Sequence, residues 1–271
     1  MAKTAGIVSA QLNIPLPRKV IAVDPPLLGT ADCPAICRCD DSCDYAIKDG
    51  QKHPLVPHSE WFCTRLADLL GIPGPECQIL EMPDGRLVFG SRWEGGVVTG
   101  GGPLPAWVAK VQSGEMRIDG LRIPLTRIYA YDLFIHNPDR HGGNFLVREQ
   151  HNGFALLAFD YSRAWAVNAT PLPRDPFDKN HPSERTIKCQ RQLSQVWGSS
   201  YIDLAEADTF LGKIKRIPKQ EIVRIIDQHP KNWLPSKARQ DIVKWIEGND
   251  CENRRNIGGD QEWHISLITP F

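Results

Sequence analysis

The stretch of the chain that could carry chemistry is IHNPDRHGGNFLV, from Ile135 to Val147. It holds Asp139, and Asn144 follows five residues later, while a second acid, Asp160, ends the next apolar run. Carboxylate and amide oxygens suit a hard cation such as Mg²⁺, whereas zinc takes thiols and imidazoles, which are sparse here. The residue types therefore favour metal-assisted phosphate chemistry over a zinc centre.

The spacing of these residues is that of a phosphoryl-transfer loop. In protein kinases a catalytic Asp is followed five residues later by a Mg²⁺-binding Asn, and a later Asp binds the other metal. On this pattern Asp139 accepts the hydroxyl proton of the acceptor, and Asn144 and Asp160 hold metal against the β- and γ-phosphates. His141 is a further catalytic candidate, beside the simpler interpretation that it packs the loop. Arg140 pairs either with a carboxylate or with a phosphate.

A loop of this kind also requires a lysine on an upstream strand and an acid on the next helix. Lys48 ends the predicted strand YAIK, and Glu60 stands at the start of the predicted helix SEWFCTRLADLL. Together they would fix the lysine for the nucleotide phosphates. The alternatives are an ordinary surface lysine and an acid favoured by the dipole of its helix. Four parts in the required order are more specific than any one alone.

Short strands and helices must position these residues. Alternation and turn signals predict strands over 20–29 (running into a turn), 34–40, 44–49, 144–147 and 155–159, and a hairpin around 83–85. Apolar spacing predicts helices over 59–70 (closed by Gly71), 124–134, 201–215, 218–229 and 237–247.

The glycine-rich tract from Gly95 to Gly102 separates the strand-rich part from the rest of the chain, so we place a boundary near residue 94. Residues 1–18 form an arm, 19–94 a small β-rich lobe with one helix, and 95–271 a larger, mainly helical lobe. The fold class is α+β and bilobal. A cleft between two such lobes is a natural ligand site.

Composition narrows the class of protein. Lys plus Arg equals Asp plus Glu at 32 each, so the absence of a basic field argues against direct binding of nucleic acid. We find no signal peptide and no apolar run that could span a bilayer, which predicts a cytoplasmic protein without stable membrane insertion. The eight cysteines are then reduced thiols. Their one cluster, Cys33, Cys37, Cys39 and Cys43, has unusual spacing for zinc, which stays the minor alternative.

These motifs resemble a HipA-like kinase domain, within the broader set that includes the phosphatidylinositol 3- and 4-kinases. The resemblance covers about residues 18 to 256 and is carried by NPDRHGGN, FDYS, YAIK, SEWFCTRLADLLGIPGPE and the tail WLPSKARQDIVKWIEGNDCENRR. The loop is its most specific element, and it differs from the H-R-D order of ordinary protein kinases because the His follows the Asp.

The resemblance implies a protein-kinase-like fold and an ATP- and Mg²⁺-dependent transfer to a protein Ser or Thr. It matches Asp139 to the catalytic Asp, Asn144 and Asp160 to the metal ligands, and Lys48 to the nucleotide lysine. Many HipA-like proteins are toxins, which implies an antitoxin as a possible partner. Some are switched off by phosphorylation of a serine in the nucleotide loop, and the nearest candidates here are Thr30 and Ser42.

The rest of the nucleotide site is less well marked. The phosphate loop is not clearly glycine-rich, and only Gly29 and Thr30 stand where it is expected. Phe89, Arg92 and Trp93 lie in FGSRWE, which would connect the lobes and offer backbone groups to adenine, or is a plain strand exit. The FDYS element also lacks the glycine of D-F-G.

Three other functions remain open from the sequence. A phosphoinositide kinase would present a membrane-facing surface, which the balanced charge disfavours. A small-molecule phosphotransferase of the aminoglycoside type uses a similar D-x-H-x-x-N loop. A pseudokinase that serves as a nucleotide-dependent interaction module would explain the poor nucleotide loop, although all the catalytic residues are present.

Overall fold

Strands and helices both contribute to the fold, which is mixed α/β. The structure, a computed structural model, describes residues 15–25, 33, 35–93, 95, 97–98, 106–151, 153–167, 184–197 and 201–255. The strands are β1 (Arg18–Asp24), β2 (Ile36–Cys39), β3 (Asp44–Lys48), β4 (Cys77–Glu81), β5 (Leu87–Arg92), β6 (Val97–Val98), β7 (Phe145–Gln150) and β8 (Gly153–Ala158). The helices are α1 (Val56–Leu70), α2 (Ala106–Ser113), α3 (Arg122–Phe134), α4 (Glu184–Trp197), α5 (Leu204–Arg216), α6 (Lys219–Asp227), α7 (Ser236–Glu247) and α8 (Asn249–Arg255).

The first five strands close into a barrel in the order β1-β2-β3-β5-β4. The hairpins β2–β3 and β4–β5 confirm the sequence predictions, and β1 closes the barrel by pairing in parallel with β4 at Arg18 and Leu80. Arg38 and Asp44 are cross-strand partners, and their side chains form two hydrogen bonds of 2.8 and 3.0 Å on the outer face. Side chains that alternate with them fill the interior: Val20, Cys37, Cys39, Tyr45, Ile47, Leu80 and Val88.

The cysteine cluster contributes apolar packing. Cys33, Cys37, Cys39 and Cys43 form no disulfide bond with the described residues, and the sulfur atoms of the two buried ones, Cys37 and Cys39, lie 3.9 Å apart inside the barrel. Burial raises the pKa of Cys37 to about 11, which disfavours the thiolate that zinc requires. Across the described ranges, no group of three His, Cys, Asp or Glu side chains could hold a metal ion.

Helix α1 lies between β3 and β4 in the chain and begins three residues before its predicted start. Gly71 ends it in the left-handed conformation at φ 75°, as predicted, and donates to the carbonyls of Ala67 and Asp68. Burial extends around most of the helix and includes His58, Ser59, Glu60 and Thr64. Burying a polar side chain costs free energy unless it has a hydrogen-bond partner. His58, Ser59 and Glu60 have such partners in distant parts of the chain.

One hydrophobic core joins α1, β4 and β5 to the helices that come later in the chain. Phe62 of α1 stacks on Trp165 with ring centroids 4.0 Å apart, and Trp61 meets Trp233 edge-on. The indole of Trp233 also donates to the carbonyl of Leu87 in β5 at 2.9 Å. The division of the chain near residue 94 stays a prediction.

The second part of the chain agrees with most of its predicted elements. Helices α3, α5, α6 and α7 confirm the four downstream helix predictions within a few residues, and β7 and β8 confirm the paired strands. Helices α2, α4 and α8 and strand β6 were not predicted. Among the described residues, no helix is both long enough and apolar enough to cross a membrane.

A buried pair of histidines fastens α1 to the end of α6. His229 Nδ1 lies 2.9 Å from the carbonyl of Pro230, so it carries a proton and leaves Nε2 to accept from His58 Nδ1 at 2.7 Å. His58 Nε2 is then unprotonated and has no hydrogen-bond partner among the described residues. Burial lowers the pKa of both imidazoles, so the fold requires their neutral forms.

This pair predicts that acid weakens the fold. A histidine with a depressed folded pKa contributes stability above its unfolded pKa of about 6.5, and that stability is lost as the pH falls. We expect His58→Gln to flatten the decline in unfolding free energy between pH 6.5 and 5 by about 1 kcal/mol per pH unit, measured by urea denaturation.

The comparison with wild type isolates His58 because the other titrating groups are common to both proteins. His53 is exposed, and His53→Gln is the matched control that should keep the wild-type slope. Equal slopes in wild type and His58→Gln would contradict the assignment.

Candidate active site

The centre of the candidate site is a lysine held between two carboxylates from distant parts of the chain. Lys48, at the end of β3, places Nζ 3.1 Å from Glu60 Oε1 of α1 and 2.9 Å from Asp160 Oδ1, which follows β8. The side chain of Lys48 is 9% exposed and that of Glu60 is 3% exposed. The structure therefore brings together three of the residues that the sequence singled out.

The charges of this cluster perturb one another. Burial alone would lower the pKa of Lys48, but the carboxylates of Glu60 and Asp160 outweigh it and hold the ammonium pKa above its ordinary value. Burial raises the pKa of Glu60 to about 7 against the opposing effect of Lys48. Burial also acts to raise the pKa of Asp160, but Lys48 outweighs it and keeps that pKa below its usual range. Asp160 is thus the carboxylate that Lys48 keeps ionised, whereas burial disfavours the ionised form of Glu60.

Helix α1 holds the segment that carries Asp160. The backbone N–H of Tyr161 donates to Glu60 Oε2 at 3.1 Å. The hydroxyl of Ser59 lies 2.6 Å from the carbonyl of Tyr161 and 2.7 Å from that of Ala164. Asp160 itself has a φ of 62°, a left-handed conformation that costs energy unless surrounding contacts impose it. The contacts from Ser59 and Glu60 are of that kind.

The loop with Asp139 and Asn144 is shaped by its own side chains. Asn137 accepts from the backbone N–H of Asp139 at 3.2 Å and donates to Asp132 at 2.9 Å. The amide of Asn144 donates to the carbonyl of Asp139 at 3.2 Å. His141 Nδ1 accepts from Gly143 N at 3.1 Å and so begins the short 3-10 turn Gly142–Asn144. This contact agrees with a structural part for His141, whose pKa is lowered by burial.

Arg140 resolves the choice between a carboxylate and a phosphate in favour of the carboxylate. Its guanidinium makes a bidentate pair with Asp132 of α3 at 2.8 and 2.9 Å, and both side chains are almost completely buried. Nη1 donates in addition to the carbonyls of Asn144 at 2.9 Å and Phe159 at 2.6 Å. One side chain therefore joins α3, the Asn144 turn and the residue that precedes Asp160.

The oxygen atoms of Asn144 and Asp160 fit a hard divalent cation. Because the amide nitrogen of Asn144 is used on Asp139, its oxygen is turned away from that bond and has no hydrogen bond from the described residues. Phe159 N donates to Asn144 O at 3.3 Å, which keeps the two candidate ligands adjacent in the fold. Asp160 offers an ionised carboxylate here, because Lys48 keeps its pKa below the usual range. An amide and one carboxylate suit Mg²⁺, which fills its other positions with water and phosphate oxygens.

The first turn of α4 reaches this loop, and no signal in the sequence indicates it. Thr186 is 1% exposed, accepts from Arg140 N at 3.0 Å and donates to the carbonyl of Asn137. Its neighbour Arg185 forms an ion pair with the carboxylate of Asp139. Both contacts cross more than 40 residues of chain, and no spacing rule connects such positions.

The remaining nucleotide candidates have different positions. Gly29 and Thr30 lie outside the described residues. Phe89 is buried in β5 and is the register partner of Lys48 on the adjacent strand β3. Arg92 and Trp93 lie at the other end of β3, where Arg92 pairs with Glu76 at 3.1 Å and the half-exposed Trp93 donates its backbone N–H to Asp44. The structure does not bring these two side chains to the Lys48 cluster.

Known proteins resemble this chain in sequence and in fold. A family model described as HipA-like kinase matches residues 20–257. The solved structure of the Helicobacter pylori proinflammatory kinase CtkA is similar with a TM-score of 0.56 at 14% identity, over 86% of this chain and 96% of that one. At this identity the likeness shows a common fold.

A second solved structure is more distant. It is HipA of Shewanella oneidensis MR-1, from a complex of the toxin–antitoxin system HipA, HipB and its operator DNA. Its TM-score is 0.46 at 10% identity, over 79% of this chain and 57% of that one. None of the curated proteins compared with the chain matches it.

The buried pair of Asp132 and Arg140 predicts a large loss of stability when its acid is removed. Asp132→Ala leaves the guanidinium of Arg140 buried without its counter-ion, which costs about 3–5 kcal/mol. Guanidinium denaturation followed by circular dichroism measures the loss. The matched control is Asp119→Ala, which breaks the exposed pair with Arg117 and should leave stability almost unchanged. Similar losses in the two variants would show that the buried pair does not organise the loop.

Proposed function

The chain belongs to the HipA-like kinase family, which is one of phosphotransferases, and on that premise we propose that it transfers the γ-phosphoryl group of ATP to a Ser or Thr hydroxyl of a protein, with Mg²⁺. The observation that carries the proposal is the contact of Lys48 with both Glu60 and Asp160. A lysine on a strand, an acid on a helix and an Asp after a hairpin meet here in the order that a kinase requires.

Lys48 is the residue proposed to hold the nucleotide phosphates. Its ammonium has three N–H donors, one of which donates to Asp160 at 2.9 Å, while Glu60 forms an ion pair with it at 3.1 Å; the proposal gives a remaining donor to a phosphate oxygen. The pair with Glu60 limits the positions that the long side chain can take. A lysine restrained in this way orders the phosphates without a large entropic cost at the moment of reaction.

Asn144 and Asp160 are the residues that would hold Mg²⁺, which when bound neutralises negative charge on the phosphates. Asp139 lies on the same loop as Asn144, and its carboxylate is the proposed acceptor of the hydroxyl proton. Its side chain is 26% exposed, so an acceptor can reach it from solvent. His141 is proposed to support the turn, because its Nδ1 accepts from the backbone N–H of Gly143.

The nucleotide base is proposed to bind where β5 ends. Gly29 and Thr30 would approach the phosphates, and the backbone of Arg92 and Trp93 would meet adenine. This arrangement requires a cleft between a first lobe over residues 19–94 and a second over 95–271, and both the lobes and the cleft are part of the proposal. Phe89 would then support Lys48 from the adjacent strand.

The acceptor and the setting rest on the family alone. We propose a protein Ser or Thr as acceptor, a cytoplasmic location and, as a secondary possibility, a toxin that an antitoxin restrains. A phosphoinositide or small-molecule acceptor would use the same Asp139. Incubation with labelled ATP and separate protein, lipid and small-molecule pools distinguishes these acceptors.

Two substitutions test the catalytic assignment and separate the roles. We expect Asp139→Asn and Asp160→Asn each to lower phosphoryl transfer about 10²-fold or more, because one removes the proton acceptor and the other a metal ligand. Asp139→Asn should still bind ATP with Mg²⁺ in isothermal titration calorimetry, whereas Asp160→Asn should lose the dependence of that binding on Mg²⁺.

Asp119→Asn changes an exposed carboxylate on the same part of the chain and serves as the control. Transfer that survives in both site variants would exclude the assignment. Tight ATP binding without transfer by the wild type, over protein, lipid and small-molecule pools, would favour the pseudokinase.

A further inference from the structure

The first turn of α4 borders the carboxylate that the proposed mechanism gives to the acceptor. Arg185 directs its guanidinium to the carboxylate of Asp139, and its side chain is 67% exposed. The backbone at Arg185 is held in place, because the next residue, Thr186, is buried and hydrogen-bonded to both Asn137 and Arg140. The position of Arg185 beside Asp139 is therefore a consequence of buried contacts.

An acceptor hydroxyl and Arg185 compete for the same oxygen atoms. Asp139 must receive the hydroxyl in the proposed reaction, and in the structure its Oδ1 is bonded to Arg185. An exposed ion pair of this kind is weak, so an incoming group can replace it. The guanidinium of Arg185, however, gains from a new anionic partner close by.

Beyond its first residue, Glu184, helix α4 carries only basic charged side chains, which are Arg185, Lys188 and Arg191. Lys188 is exposed one turn after Arg185. The exposed guanidinium of Arg185 attracts acidic side chains and disfavours basic ones.

We propose that Arg185 is a specificity-determining residue that selects protein segments with an Asp or Glu close to the acceptor Ser or Thr. The acidic side chain takes Arg185 as its partner and so releases Asp139 to the hydroxyl. This inference rests on the proposed kinase function and adds the chemical class of its acceptor. A segment with Lys or Arg at the same position meets repulsion from Arg185 and leaves Asp139 occupied.

The test is a charge reversal read out on a peptide library. Peptides with a central Ser or Thr and one fixed flanking residue are incubated with full-length protein, labelled ATP and Mg²⁺. For wild type we expect Asp or Glu to be preferred over Lys or Arg at one flanking position by about fivefold, the upper range for an exposed ion pair. In Arg185→Glu the preference at that position should reverse, with the KM for ATP unchanged.

Lys188→Glu is the matched control, since it makes the same change of charge one turn further along the exposed face. We expect it to keep the wild-type preference. An equal reversal in Lys188→Glu would show a general field and overturn the assignment to Arg185. A changed KM for ATP with an unchanged peptide preference would place Arg185 on the nucleotide and also overturn it.

The outcomes also separate this inference from the proposed function. If the wild type phosphorylates the library without any acidic preference, the proposed kinase function stands and the role of Arg185 is overturned. ATP-dependent phosphorylation of phosphatidylinositol vesicles with no labelled peptide overturns the protein acceptor and with it the inference. A wild type without ATP-dependent transfer to any pool contradicts the kinase function itself.

Discussion

The structure depends on a buried ammonium that two carboxylates share. Moving Lys48, Glu60 and Asp160 out of water is costly, and the cost is recovered only if the three groups stay in close contact. Burial raises the pKa of Glu60 to about 7 although Lys48 acts to lower it, so the ammonium offsets only part of the cost of burying this carboxylate. The three side chains keep this geometry only because the surrounding elements position them. The barrel fixes Lys48, α1 fixes Glu60, and the bonds from Ser59 and Glu60 impose the left-handed backbone of the segment at Asp160.

A second buried cation, Arg140, differs from Lys48 in how many of its donors the protein uses. Four of its N–H donors are used on Asp132, Asn144 and Phe159, so it is committed to the protein and has little left for a ligand. The ammonium of Lys48, in contrast, donates a hydrogen bond only to Asp160 among the described residues. The two cations share the segment at residues 159–161, since Arg140 holds its first carbonyl and Lys48 its next carboxylate. The relative position of Asn144 and Asp160 is therefore fixed from both sides.

Local sequence patterns allowed much of the barrel and part of the candidate site to be predicted. Alternation indicated the hairpins of the barrel, Gly71 marked the end of α1, and the order of Lys48, Glu60, Asp139 and Asp160 indicated a common site before any contact was known. The parallel closure of β1 on β4 could not be predicted because nothing local encodes a pairing across 60 residues. Helix α4 was missed for a related reason. It follows a proline-rich span, and its first turn matters through Thr186, which has no motif to mark it.

The loop from Asn137 to Asn144 illustrates how rigidity and access are divided within one segment. Its backbone is tied to Asp132 through Asn137, to α4 through Thr186 and to the strand segment through Arg140. The carboxylate of Asp139, in contrast, meets only the exposed Arg185 among its described side-chain partners. In the proposed reaction, a preorganised backbone lowers the cost of aligning Asp139, and the weak ion pair with Arg185 is one that an acceptor can replace. The strong contacts thus fix the position of the Asp139 backbone, whereas the weak ion pair with Arg185 leaves its carboxylate available to other groups.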